Sequence, residues 1–345
     1  MCAACGRGLV PVSNERVQVL VIAPHPDDEV LLAAGVLQQA VARRQRVAVV
    51  VVTNGDLTCE RDGALRQTET VAALARLGVE ERDVHFLGYP DGYLSALGTE
   101  PLPPLERRAP DGRCVKATGT WATRGAGAVD VHTARTGRPG AYLAESLTGD
   151  LAALLSRLRP REVYLPHGID QHPDHAATYA YFRRALERLQ LPPLDVFRAV
   201  IHATDACWPG ACEAPMQLDA GIPPLPAPLG GYAARARRPI DAQHKLEAIS
   251  EFRSQFERPL KAEWLSAFAR PEEVFFPERL ARSPSGRWLR EPTSEHAVRE
   301  LEIWPTPEDE VGGLTFVVTT DGVMLLVSRR QVAWWPRARG ASNAL

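Results

Sequence analysis

Short runs of continuous Val, Ile and Leu alternate with stretches whose apolar residues recur every three or four positions, and this alternation organises the first 200 residues of the chain. Residues 17–24 (VQVLVIAP), 46–53 (RVAVVVVT), 84–87 (VHFL), 162–166 (EVYLP) and 196–202 (VFRAVIH) read as strands, with 29–43, 64–77, 142–158 and 173–189 as helices between them. Strands that are apolar at every position are buried on both faces, and a helix after each one carries the chain back for a parallel partner. The pattern therefore predicts an α/β fold with a doubly wound, mostly parallel, Rossmann-like sheet.

Further along, 243–256 (QHKLEAISEFRSQF) places Leu246, Ile249, Phe252 and Phe256 on one face of a packed helix. Two stretches break the rhythm: 98–140, rich in Gly, Pro, Thr and Arg, and the proline-crowded 207–239. Insertions this long serve as cleft walls or as surface additions. After residue 275 the alternation stops, and 314–328 (LTFVVTTDGVMLLVS) reads as two strands joined by an Asp321-Gly322 turn. The expected organisation is a tail at 1–15, an α/β domain at 16–275 and a small β-rich region at 276–345. Trp304, Trp334 and Trp335 in that last region are read as hairpin packing, with stacking on sugar rings as the alternative.

Composition narrows the function classes. With 45% hydrophobic and 24% charged residues in 345, and 40 basic against 42 acidic side chains, the formal charge is -2. That balance gives no electrostatic footprint for nucleic acid. No stretch reaches the roughly 18 apolar residues of a membrane span, and MCAACGRGLVPVSNE at the start does not read as a secretory signal. Six cysteines without framework spacing fit a reduced, cytoplasmic chain. Cys2 and Cys5 form a C-x-x-C without a well-spaced second pair, so the segment reads as a tail rather than a zinc ribbon.

The chemistry is concentrated at strand ends. Ligands of an open parallel sheet bind beyond the carboxyl ends of its strands, and the first strand ends in His25-Pro26-Asp27-Asp28-Glu29. A dinucleotide fold would place glycines there. A turn of acids without glycine repels phosphate and suits a cation. A second such turn, YLPHGIDQHPDHAAT at 164–178, follows another strand and sets His172 and His175 three residues apart at a helix start. Acids at a helix start also favour the helix dipole, but that reading does not call for two His/Asp turns after two separate strands. Two or more imidazoles with a carboxylate favour zinc over magnesium.

The two turns together resemble the PIG-L/LmbE family of zinc-dependent de-N-acetylases, whose first motif stands here as His25-Pro26-Asp27-Asp28-Glu29 and whose second stands as His172-Pro173-Asp174-His175. Weaker likenesses are TNGD at 53–56, Arg66-x-x-Glu69 and FLGYPDG at 86–92, so the resemblance covers roughly 17–202. It implies an LmbE-like fold and one zinc per chain, with iron(II) as the alternative metal. It also implies that His25, Asp28 and His175 are the metal ligands, that Asp27 is the general base, and that His172, protonated and supported by Asp174, stabilises the oxyanion. Arg66 and Asp91 match positions that hold sugar hydroxyls; an Arg66–Glu69 pair and a Pro-Asp-Gly turn are the structural alternatives. Asp170 is expected to orient a ligand imidazole or cap the loop, and Ser254 and Gln255 are further candidates. His132, His167, His202 and His244 carry no motif and read as ordinary loop or core histidines.

The expected activity is removal of an acetyl group from an N-acetylglucosamine-type amino sugar or glycoconjugate, a small-molecule partner. A metal-dependent phosphoesterase and a non-catalytic sugar-binding protein on the same fold are the alternatives. No feature of the sequence fixes the oligomeric state.

Overall fold

The computed structural model describes residues 16–57, 60–102, 122–123, 129–203, 208–209, 236–257, 259–283 and 286–290, with the strands 299–302, 314–318, 322–327 and 330–336. All six cysteines, Trp304 and most of the two insertions lie outside the described residues, as do the side chains of Trp334 and Trp335. The chain runs through β1 (Val19–Ala23), α1 (Asp28–Ala42), β2 (Val47–Thr53), α2 (Glu60–Arg76) and β3 (Val84–Tyr89). A short α3 (Val131–Thr136) follows in the described part of the first insertion, then α4 (Ala144–Leu158), β4 (Glu162–Pro166), α5 (Pro173–Glu187) and β5 (Leu194–Ala199). Next come β6 (Ala236–Pro239), α6 (Ala242–Ile249), α7 (Arg253–Phe256), α8 (Pro259–Ser266), β7 (Glu272–Arg282) and β8 (Trp288–Arg290).

These strands form one sheet in the order β3-β2-β1-β4-β5-β7-β6, with β8 paired to β7. The strands β1 to β5 are mutually parallel, whereas β7 runs antiparallel to both β5 and β6. Period-two geometry sends alternate side chains to opposite layers. Leu20 and Ile22 of β1 join the core under α4 and α5, while Val19 and Val21 join the core under α1, α2 and α6. That is the doubly wound arrangement the sequence predicts. Strand order reverses between β1 and β4, so the ends of these two neighbours open onto the crevice where ligands of such sheets bind.

Two expectations need correction. The boundary expected at 275 falls inside β7, an 11-residue strand that belongs to the main sheet. The single helix expected over 243–256 is two helices, α6 and α7, because the chain leaves helical geometry at Phe252 (φ −77°, ψ 58°). Phe252 and Ile249 are buried all the same. Beyond β8, the four strands β9 (Arg299–Glu302), β10 (Leu314–Val318), β11 (Gly322–Val327) and β12 (Arg330–Pro336) form an antiparallel sheet in the order β12-β11-β10-β9. The hairpin partners expected at 314–328 pair there, Val318 opposite Val323. No helix among the described residues is long and apolar enough to cross a membrane.

Candidate metal centre

The first site turn begins at Pro24, which has no backbone N–H to continue the strand, and the second begins after β4, where His167 N–H still bonds Ala199 O at 2.7 Å. After β1, Pro24 still accepts a hydrogen bond from Thr53 N–H (2.9 Å), and the chain then leaves the sheet. The residue before α1 is Asp27, at φ 123° and ψ −34°, a positive-φ conformation that costs a non-glycine residue of order 1–3 kcal/mol. Its side chain makes no cap hydrogen bond. This carboxylate therefore does not serve as a hydrogen-bonding cap: it faces the cleft, where Arg66 Nη2 lies 2.9 Å and Lys261 Nζ 3.8 Å from its Oδ2. Burial raises the Asp27 pKa in spite of both cations, which makes the carboxylate a better proton acceptor.

The three residues implied as ligands converge. His25 Nδ1 and Asp28 Oδ2 are 2.9 Å apart, Asp28 Oδ2 and His175 Nε2 3.1 Å, and His175 Nε2 and His25 Nδ1 3.3 Å. Donors about 2.1 Å from a tetrahedral ion would stand roughly 3.4 Å apart, so this triangle fits a zinc-type ion with slight expansion. The other ring nitrogens face carboxylates: His25 Nε2 lies 3.1 Å from Asp174 Oδ2 and 3.2 Å from Asp91 Oδ1, and His175 Nδ1 lies 3.4 Å from Asp170 Oδ2. Carboxylates behind ligand imidazoles fix the tautomer that leaves the inner nitrogen free for a metal.

Electrostatics agree with that geometry. Burial alone would depress both imidazoles. Asp91, Asp174 and Asp28 instead hold His25 well above its ordinary pKa, and Asp28 with Asp170 lift His175 to about 9. Asp28 and Asp91 are conversely pulled down against burial, Asp28 by His175 and His25, and Asp91 to about 2 by His25 and Arg66. Five buried aspartates, at 27, 28, 91, 170 and 174, thus surround the imidazoles with Arg66 as the buried arginine among them. A divalent cation is the natural complement of such a cluster.

Asp170 has two roles at once. Its Oδ2 accepts the backbone N–H groups of Ile201 (2.7 Å) and His202 (3.1 Å), and its Oδ1 accepts that of His172 (3.0 Å). The loop-capping reading is realised, and the same carboxylate faces the His175 ring, Oδ2 lying 3.4 Å from Nδ1. We expect Asp170→Asn to weaken metal affinity by about 10–100-fold, the usual cost of losing a carboxylate behind a ligand. Competition with a chromophoric chelator measures this, and unchanged affinity would reduce Asp170 to a loop cap.

His172 and Asp174 are related differently than expected. His172 is the N-cap of α5, where its Nδ1 accepts the Asp174 backbone N–H (3.2 Å). The Asp174 carboxylate turns away to His25 and to the backbone N–H groups of Gly92 (2.6 Å) and Leu94 (3.0 Å). An accepting Nδ1 puts the proton on Nε2. Burial, with His25 and His175 nearby, lowers the His172 pKa to about 4, so the ring is a neutral donor rather than the protonated one expected.

Arg66 stands on the cavity wall, as its sugar-holding reading requires, but departs from the other reading, the pair with Glu69. Its guanidinium is buried and donates to Pro26 O (2.5 Å), Asp27 Oδ2 (2.9 Å) and Gly55 O (3.0 Å), with Asp91 Oδ2 3.5 Å from Nη1. Gly55 has φ +67°, and a Cβ there would stand 2.8 Å from Pro26 and 2.9 Å from Arg66. Only glycine lets the two turns close on the guanidinium in this way. Glu69 is not its partner: that carboxylate accepts the N–H and hydroxyl of Ser254, both at 2.7 Å, and so ties α7 to α2.

His25, Asp27, Asp28, Arg66, Asp91 and His172 line a cavity of about 930 Å³. Ser254 and Gln255 stand on its wall, as does a residue pair that sequence reasoning missed, His202 and Trp264. His202 stacks on Trp264 (centroids 4.9 Å apart, 23° between planes) and sits 4.8 Å from the His175 ring. With Asp28 and His175 it forms a second donor set, so it is not the ordinary histidine expected. Burial and His175 lower its pKa to about 3. The available signal was its place just past the carboxyl end of β5. The other three histidines do keep structural roles: His167 is buried against Phe276 and Tyr179, His132 bonds Asp150 at 3.0 Å, and His244 bonds Arg76 O at 2.8 Å.

Residues 20–186 match the family model described as PIG-L, GlcNAc-PI de-N-acetylase. Two curated relatives share the name 1D-myo-inositol 2-acetamido-2-deoxy-alpha-D-glucopyranoside deacetylase. The one from Mycobacterium sp. (strain KMS) is 31% identical over 198 residues, which cover 52% of this chain and 54% of the relative. The one from Mycolicibacterium smegmatis (strain ATCC 700084 / mc(2)155) is 33% identical over 180 residues, covering 50% and 54%. The chain thus spans about half the length of the curated relatives it matches. Among solved structures, N,N'-diacetylchitobiose deacetylase from Pyrococcus horikoshii aligns at a TM-score of 0.46 and 18% identity, covering 77% of this chain and 86% of that one.

Proposed function

Residues 20–186 belong to the PIG-L family of de-N-acetylases, and on that premise we propose that this chain is a metal-dependent N-deacetylase of N-acetylglucosamine-type amino sugars or their conjugates. The observation that carries the reading is the triangle of His25 Nδ1, Asp28 Oδ2 and His175 Nε2 with the uncapped Asp27 carboxylate beside it. Two imidazoles and one carboxylate suit zinc, with iron(II) as the alternative, better than the hard oxygen-seeking cations. When bound, such an ion supplies Lewis acidity and brings a water to a pKa near 7.

The side chains carry the remaining steps. Asp27 accepts the proton of the attacking water, held on the cleft side by Arg66. The hydroxyl adds to the acetyl carbon, and His172 donates its Nε2–H to the oxygen on which negative charge develops. Asp27 then returns its proton to the amide nitrogen as the carbon–nitrogen bond breaks, releasing acetate and a free amine. His172→Ala is expected to lower kcat by about 10²–10³-fold with metal content retained, the cost of one oxyanion donor. A parallel loss of metal would move His172 into the ligand set.

The function is tested with metal-free and zinc-loaded protein on N-acetylglucosaminides, including an inositol conjugate, alongside aryl phosphate esters. Equal amounts of acetate and free amine, released only by the loaded protein, are expected. Phosphate release without acetate would replace the deacetylase reading by a phosphoesterase.

A further inference from the structure

Helix α1 is broken. Ala33 adopts φ −144° and ψ 23° in its middle, so Asp28–Leu32 and the segment from Ala34 onward are two helical pieces. A helix break inside a core leaves carbonyls without partners on one side and N–H groups without partners on the other. Both are satisfied here by one buried ion pair from distant parts of the chain. Glu273, on β7, accepts Gly35 N–H on Oε1 (3.1 Å) and Val36 N–H on Oε2 (3.3 Å). Lys245, on α6, donates to Leu31 O (2.7 Å) and lies 2.8 Å from Glu273 Oε1. Lys245 and Glu273 are 2% and 3% exposed.

Gly35 makes the approach feasible. A Cβ at this position would stand 1.9 Å from Ile240 Cγ2 and 3.4 Å from Glu273 Oε2. The first helical piece is the one that carries the proposed chemistry, and the connection is short: Lys245 holds the Leu31 carbonyl, and the Leu31 N–H bonds the Asp27 carbonyl at 3.1 Å. One residue, Leu31, therefore separates the ion pair from the strained turn. On the other side, the turn is held by Arg66 at Pro26 O.

We propose that Lys245 and Glu273 are positioning residues, a clamp at the break in α1 that holds the turn bearing Asp27 and Asp28 in place from behind. An unbroken α1 would tie the orientation of its first turn to that of the whole 15-residue helix. The break frees the first piece, and the ion pair then fixes it at a separate angle. This rests on the deacetylase reading for the roles of Asp27 and Asp28, whereas the clamp itself is measurable without turnover.

The test compares Glu273→Gln, Lys245→Met and Lys245→Arg with Leu154→Ala, a core substitution on α4 away from the site. Two readouts serve: hydrogen exchange of amides 27–36 relative to those of β2 in the metal-free protein, and affinity for zinc alone by chelator competition. The clamp predicts that Glu273→Gln and Lys245→Met speed exchange of 27–36 at least tenfold over β2 and weaken zinc binding about tenfold. Lys245→Arg should recover part of both, and Leu154→Ala should lower Tm while changing neither. If Lys245→Met does not fold, Glu273→Gln and Lys245→Arg carry the same comparison. An exchange ratio and zinc affinity in the clamp variants equal to those of Leu154→Ala would overturn the proposal. Failure of the deacetylase reading would show separately, as absence of acetate release from the unmutated protein.

Discussion

Asp27→Asn is expected to lower kcat for acetate release by about 10²–10⁴-fold, the range for loss of a positioned general base, while metal content stays unchanged. The substitution suits the site because Asn tolerates positive φ better than other non-glycine residues, so the turn at φ 123° keeps its shape. The amide oxygen can still accept from Arg66 Nη2, now 2.9 Å from the carboxylate. What disappears is the proton acceptor. Arg66 keeps Asp91 within 3.5 Å, so the loss of charge does not strand the guanidinium, and Tm should fall less than the roughly 3–5 kcal/mol expected for a fully broken buried pair would imply. Steady-state acetate release with metal analysis on the same samples makes the check. Unimpaired turnover would remove Asp27 from the base position.

His175→Ala is expected to abolish stable metal binding. Its Nε2 is a corner of the donor triangle, and its other nitrogen faces Asp170. Losing a carboxylate behind a ligand already costs about 10–100-fold in affinity, so loss of the ligand itself should exceed that. A structural penalty comes with it. Asp28 and Asp170, both buried, lose the imidazole between them, and stranding a buried charge costs about 3–5 kcal/mol. The variant should therefore be metal-poor and less thermostable, whereas His172→Ala is metal-replete. Chelator competition and thermal melts separate the two. Zinc bound at the unmutated level would take His175 out of the ligand set.

The parallel half of the fold and the two site turns were legible because their signals are local. Strands that are apolar at every position can only be buried on both faces, and a run of His and Asp directly after such a strand stands out against its apolar background. The rest depends on long-range packing. β7 reads EEVFFPERLAR, with Pro277 in mid-strand and two glutamates, Glu273 and Glu278, that are buried; a pattern reader takes such charges and such a proline as the end of order. Asp174 lies beside His172 in sequence, yet its carboxylate serves His25, 149 positions away. Arg66 could be matched to a position but not to its partners, because all four of them belong to three loops that only the folded sheet brings together. Trp264 had no motif at all, and its role follows from His202 leaving β5 against it.

The cavity wall has a consequence for how such a protein can diversify. The donor triangle and Asp27 lie within 20–186, the segment matched by the family model, whereas the cavity wall is drawn both from that segment, at Leu57, Leu65 and Arg66, and from beyond residue 240, at Ser254, Gln255, Lys261 and Trp264. One stretch of the gene thus holds the donors, while two share the wall around them. Lys245 and Glu273 also lie beyond residue 240 and bond α1 from behind, so substitutions at the open wall positions there can reshape what enters the cavity, whereas the buried pair has to be kept.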